Sequence, residues 1–142
     1  MRPRFLAAMP VALILMATHA VGSQPIGKGI FVYSTMCLHE ETGDLLGERV
    51  TVARYPEGDF VWFQDPEGGR DPGQVVNADI EKRGTRIEFT LALPNGPGQF
   101  TGRITADGLA GSFDRGFYND KGRGDFKWPR VGSSQNGFAP CK

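Results

Sequence analysis

The chain has 142 residues, with sixteen basic and sixteen acidic side chains, twenty glycines, ten prolines and two cysteines. Its lysines and arginines are scattered singly among acids, so the basic field that draws nucleic acid is missing and nucleic-acid binding drops out. Ten phenylalanines and two tryptophans supply enough apolar surface for a core, which argues against disorder, and glycines without a period argue against collagen.

Arg2 and Arg4 precede an apolar run from Phe5 to Ala17, and small residues follow, in the order of a secretory signal peptide. The run contains Pro10 and is shorter than the roughly 18–20 residues of a permanent bilayer span, so no membrane span is expected. Thr18-His19-Ala20 and Ala20-Val21-Gly22 both offer small residues to a signal peptidase, with cleavage after Gly22 preferred. Residues 1–22 are then the leader and 23–142 a single domain, periplasmic or secreted. Losing Arg2 and Arg4 leaves about two net negative charges. A lipoprotein would carry cysteine at the cut, whereas the nearest is Cys37.

In chain order the expected strands are Ile30–His39, Glu48–Tyr55, Asp59–Gln64, Gln74–Lys82, Thr85–Leu93, Gln99–Thr105, Leu109–Arg115 and Gly124–Val131. The clearest is Thr85–Leu93, where Ile87, Phe89, Leu91 and Leu93 alternate with Arg86, Glu88, Thr90 and Ala92 and leave one side wet. Asp59–Gln64 differs because both faces are apolar: Phe60 and Trp62 point one way, Val61 and Phe63 the other. Something outside the core must cover Phe60 and Trp62, either the long Asp65–Gly73 loop or the Gln24–Gly29 segment, unless that face is a contact surface. Turns are expected at Gly43-Asp44, Pro56–Asp59, Gly68-Gly69, Arg83-Gly84, Pro94–Gly98, Asn119–Gly122 and Asp107-Gly108, the last as a type I′ hairpin.

Short connections make neighbours antiparallel, so the fold class is all-β: a meander of about eight strands, with an up-and-down β-barrel favoured over a β-sandwich. Two cysteines in an exported chain are expected to pair, and a Cys37–Cys141 disulfide would join the first strand to the end of the last, adjacent in a closed meander.

Residues for catalysis are sparse. His39 is the one histidine after the leader, and His39-Glu40-Glu41 with Asp44 lacks the helical spacing of a metal site. The Asp114–Asp125 segment has oxygen ligands but not the spacing of a calcium loop, so no metal and no cofactor are expected. Aromatic residues carry the functional expectation: Phe60, Trp62, Tyr33 and Trp128 as a ligand- or partner-binding set, with Tyr55 and Tyr118 as further rings at a barrel mouth or capping the core.

The run F-T-G-R-I-T-A-D-G-L-A-G-S-F, Phe100 to Phe113, resembles hairpins of small secreted barrels such as avidins and lipocalins. The lipocalin G-x-W on the first strand is absent, since Gly29-Ile30-Phe31 stands there, so no binding residue carries over. The leading expectation is an exported non-enzymatic barrel that binds a small apolar molecule or another exported protein. The alternatives are an inhibitor or accessory protein acting on a secreted protein, and a hydrolase using carboxylates. A hollow interior would favour the small molecule, and a filled one with an exposed Phe60/Trp62 patch would favour a protein.

Overall fold

A computed structural model describes residues 26–66, 72–81, 83–93, 96–105, 107–114, 125–132 and 138–141. The expected leader, the Gly68-Gly69 and Asn119–Gly122 turns and Tyr118 lie outside the described residues. Eight antiparallel strands form one sheet in the order β1 (Gly29–Ser34), β4 (Arg49–Tyr55), β5 (Gly58–Gln64), β6 (Gln74–Ile80), β7 (Arg86–Leu93), β8 (Gly96–Ile104), β9 (Gly108–Phe113) and β10 (Asp125–Pro129). Among the described residues there is no helix. The sheet nearly closes into a barrel. Its seam is a bridge between Tyr33 and Arg130, with the Val131 amide donating to the Val32 carbonyl at 2.9 Å.

Three short strands lie outside the barrel. β2 (Cys37–Leu38) and β3 (Leu45–Leu46) form a side hairpin, and β11 (Ala139–Pro140) adds to β2 in parallel. The disulfide joins Cys37 to Cys141, as the compartment argument expects, but not as a link between the first and last barrel strands. The expected strand Ile30–His39 is broken at Thr35–Met36, where the Ser34 hydroxyl accepts from the Met36 amide and the Thr35 amide donates to Glu48. Those bonds turn the chain out of the barrel into the hairpin, so the disulfide pins a side sheet.

Period-two patterning decides what fills the barrel. Val50, Val52, Val61, Phe63, Ile87, Phe89, Leu91, Phe100, Ile104, Leu109, Phe113 and Trp128 occupy the inward positions of their strands and are all buried. Six rings form one cluster. Phe100 contacts Phe89, Phe113 and Trp128 at centroid distances of 4.8, 5.1 and 5.3 Å, while Phe63 and Phe126 meet Phe113 at 6.4 and 5.4 Å. Offset and edge-on ring pairs of this kind add to what area burial alone contributes.

Two glycine expectations are corrected here. Gly96–Gly98 is not a turn but the start of β8, because a Cβ on Gly98 would lie 2.4 Å from Leu93 Cδ1, and only glycine lets that side chain fold inward. Asp107-Gly108 is not the centre of a type I′ turn: Asp107 has no positive φ, and Gly108 already belongs to β9, where a Cβ would meet the Trp128 carbonyl at 2.4 Å. The loop is instead closed by Thr105, whose amide donates to the Gly108 carbonyl at 2.8 Å.

One end of the barrel is plugged from the N-terminal side. Ile26 is buried, its amide donates to Gly84, and its carbonyl accepts from Arg54 Nη1 at 2.6 Å. Arg54 is buried with its charge paired to Asp59 at 3.3 Å, so the guanidinium enters the core already neutralised and hydrogen-bonded.

Candidate functional site

The four aromatic residues expected to act together are divided by the barrel wall. Tyr33 and Trp128 are inside, at 0% and 1% exposure, whereas Trp62 is outside and 41% exposed, with Phe60 half-buried on the same outer face. The alternation of β5 makes this split: Val61 and Phe63 occupy the inward positions, leaving Phe60 and Trp62 outward.

Strand register assembles the outer face. Thr51 of β4 pairs with Val32 of β1 and with Trp62 of β5, and Trp62 pairs with Val75 of β6. One step along, Ile30, Ala53, Phe60 and Asn77 form the parallel row. None of these eight residues is charged. Ile30 is 61% exposed and Val75 71%, and with Trp62 they form an apolar surface across four strands. Sequence reasoning identified Phe60 and Trp62 but missed Ile30 and Val75. The signal available was that the I-F-V-Y run of β1 and the Val75-Val76 pair of β6 are apolar on both faces, as β5 is.

The described end of the long loop, Pro72 and Gly73, covers part of this surface. Trp62 Nε1 donates to the Pro72 carbonyl at 2.9 Å, and Gly73, at φ 77°, lies so close that a Cβ would meet the indole nitrogen at 2.3 Å. The Gln24–Gly29 alternative is corrected for its described part, since Ile26 plugs the barrel end.

Inside the wall, Trp128 Nε1 donates to Glu48 Oε2 at 3.3 Å. The Tyr33 hydroxyl is buried with no partner among the described residues. Burial pushes its pKa above the usual tyrosine value, opposed by the nearby Arg130. A tyrosine whose folded pKa is raised binds its proton more tightly when folded, so its contribution to stability is intact below about pH 10 and is lost as pH rises beyond it. Tyr33→Phe is therefore expected to flatten the stability curve above about pH 10. At pH 7 it is expected to leave stability unchanged or raise it by about 1 kcal/mol, since an unsatisfied buried hydroxyl is removed. Urea midpoints of both proteins at pH 7 and pH 11 check this.

Two other surfaces were candidates. A shallow outer groove of about 690 Å³ is lined by Arg86, Arg103 and Lys127 over small residues such as Ala110 and Ser112, with Asp125 beside them, so its charges are mixed. Asp79 and Glu88 face each other across β6 and β7, but on the solvated wall with Glu88 paired to Arg86, not as converging carboxylates in a cleft. His39 Nδ1 lies 3.2 Å from the Thr42 hydroxyl in the side hairpin. Among the described residues no three His, Cys, Asp or Glu side chains gather to hold a metal. Compared with known proteins, the chain matches no family model, no curated protein and no solved structure.

Proposed function

We propose that this is an exported, non-enzymatic binding protein that docks another exported protein on the outer apolar face of β1, β4, β5 and β6. The observation that carries this reading is the contrast between a barrel filled by its own rings and an uncharged outer patch of eight residues holding Ile30, Phe60, Trp62 and Val75, three of them substantially exposed. Clustered exposed apolar residues of this kind mark interaction surfaces, and tryptophan is the residue most enriched among interface hot spots. The small apolar ligand fits less well, because the interior that would hold it is occupied by Phe63, Phe89, Phe100, Phe113 and Trp128. The disulfide fits an oxidising compartment outside the cytoplasm, in keeping with the leader read from the sequence. An inhibitor or accessory protein would use the same face.

Native mass spectrometry of the mature protein taken from its own compartment is expected to record a stoichiometric second protein. Trp62→Glu is expected to weaken that complex by roughly thirtyfold while leaving the thermal midpoint nearly unchanged, because the side chain is outside the core. A small co-purifying mass retained by Trp62→Glu would contradict the reading.

A further inference from the structure

The other half of the barrel wall, β7 to β10, carries charges ordered in rows. Register sets Arg86 of β7 opposite Arg103 of β8, Arg103 opposite Ala110 of β9, and Ala110 opposite Lys127 of β10. Two residues along, the next outward row is Glu88, Thr101, Ser112 and Asp125. The groove of about 690 Å³ covers the first row and the second from Thr101 to Asp125. Gly102 and Gly111 line it as well, so part of its floor is bare backbone.

The cations of the first row are not used alike. Arg86 is paired with Glu88. Arg103 stands directly opposite Arg86, an arrangement of like charges that costs stability. Among the described residues neither Arg103 nor Lys127 has an ion pair. Their backbones are two strand spacings apart, about 10 Å, with only the methyl group of Ala110 between them. In the second row the Thr101 and Ser112 hydroxyls face each other and make no hydrogen bond among the described residues, whereas the Thr105 hydroxyl is taken by the Gly108 carbonyl.

We propose that this groove binds an acidic sugar bearing one carboxylate, held between Arg103 and Lys127, with the sugar hydroxyls on Thr101 and Ser112. This site is on different strands from the docking face and does not depend on it. A carboxylate matches the guanidinium fork of Arg103, and charge-assisted bonds of this kind are the stronger ones. Only one charge is accommodated, because Glu88 and Asp125 end the second row on both sides and repel a polyanion laid across the strands. Hydroxyls donate and accept, so Thr101 and Ser112 suit a hydroxylated body, and an apolar carboxylate would cover them without replacing their bonds to water. The groove volume is that of a small-molecule site.

The test is a titration of the full mature chain, labelled with nitrogen-15, with methyl β-glucuronide. The expected result is a saturable shift of the Arg103, Ala110, Ser112 and Lys127 amide signals, with affinity about tenfold above that of methyl β-glucoside, cyclohexanecarboxylate or inorganic sulfate. Arg103→Gln is expected to weaken binding about tenfold while its thermal midpoint stays equal or rises, since the opposed charges are gone. Absence of any shift, equal affinity for the neutral glucoside, for cyclohexanecarboxylate or for sulfate, or undiminished binding in a folded Arg103→Gln would each overturn the proposal.

Discussion

Phe100→Ala is expected to cost about 3–5 kcal/mol, read as a fall in the urea midpoint with an unchanged slope. Phe100 is fully buried and its ring contacts Phe89, Phe113 and Trp128. The value should fall in the upper part of that range because the site cannot collapse around the lost ring. Phe100 lies over Gly102 and Gly111, where a Cβ would stand 2.4 and 2.5 Å from ring atoms, so the wall beneath it carries no side chain that can swing into the void. The backbone there is held by the ladders of β7, β8 and β9. A dry apolar cavity of this kind is expected to take up benzene, which the wild-type protein would not bind.

Loss of the disulfide ranks second. Cys37 and Cys141 are 104 residues apart and enclose every barrel strand except β1, so the bond restricts nearly the whole barrel when it is unfolded. For a loop of that length the chain-entropy model assigns about 4–5 kcal/mol, an upper figure for Cys37→Ser combined with Cys141→Ser. The folded barrel itself should change little, since the bond lies in the side sheet and the tail is also held by Arg49 over the Phe138 ring at 5.6 Å. The double variant is therefore expected to unfold at lower urea with a steeper slope, because its unfolded chain is more expanded. A loss under about 1 kcal/mol would mean that the bond adds little constraint to the unfolded chain.

Much of this fold is legible in the residues. The alternation of β7 places Ile87, Phe89 and Leu91 inside without ambiguity, and the two-sided apolar pattern of β5 identifies the outward Phe60 and Trp62 that head the candidate site. What escaped the sequence has specific causes. In I-F-V-Y of β1 both faces are apolar, so period two cannot say whether Tyr33 or Val32 faces the core; the register against Val50 decides it. Trp128 was legible in principle, since Lys127 between Phe126 and Trp128 orients both rings inward, but a ring near a strand end reads equally as core or as mouth. Glycine has two uses that one sequence does not separate: Gly84 is a turn residue with φ 67°, while Gly98 and Gly111 are flat stretches of wall against which side chains pack. The departure of the chain at Thr35 depends on bonds to Glu48, thirteen residues away, and local patterning carries no trace of it. The Gln74 side chain is similar: its Nε2 donates to the Ala92 carbonyl and its Oε1 accepts from the Ala92 amide, a pairing visible only once the register of β6 against β7 is known.

The chain has two tryptophans, one on each side of the barrel wall, and their quenching by acrylamide tests the account most directly. Trp62→Phe leaves only Trp128, which is expected to emit at short wavelength and resist quenching, while Trp128→Phe leaves Trp62, expected to emit at longer wavelength and quench readily. Equal quenching of the two indoles would mean that small molecules enter the barrel, and the interior would then have to be treated as a binding cavity.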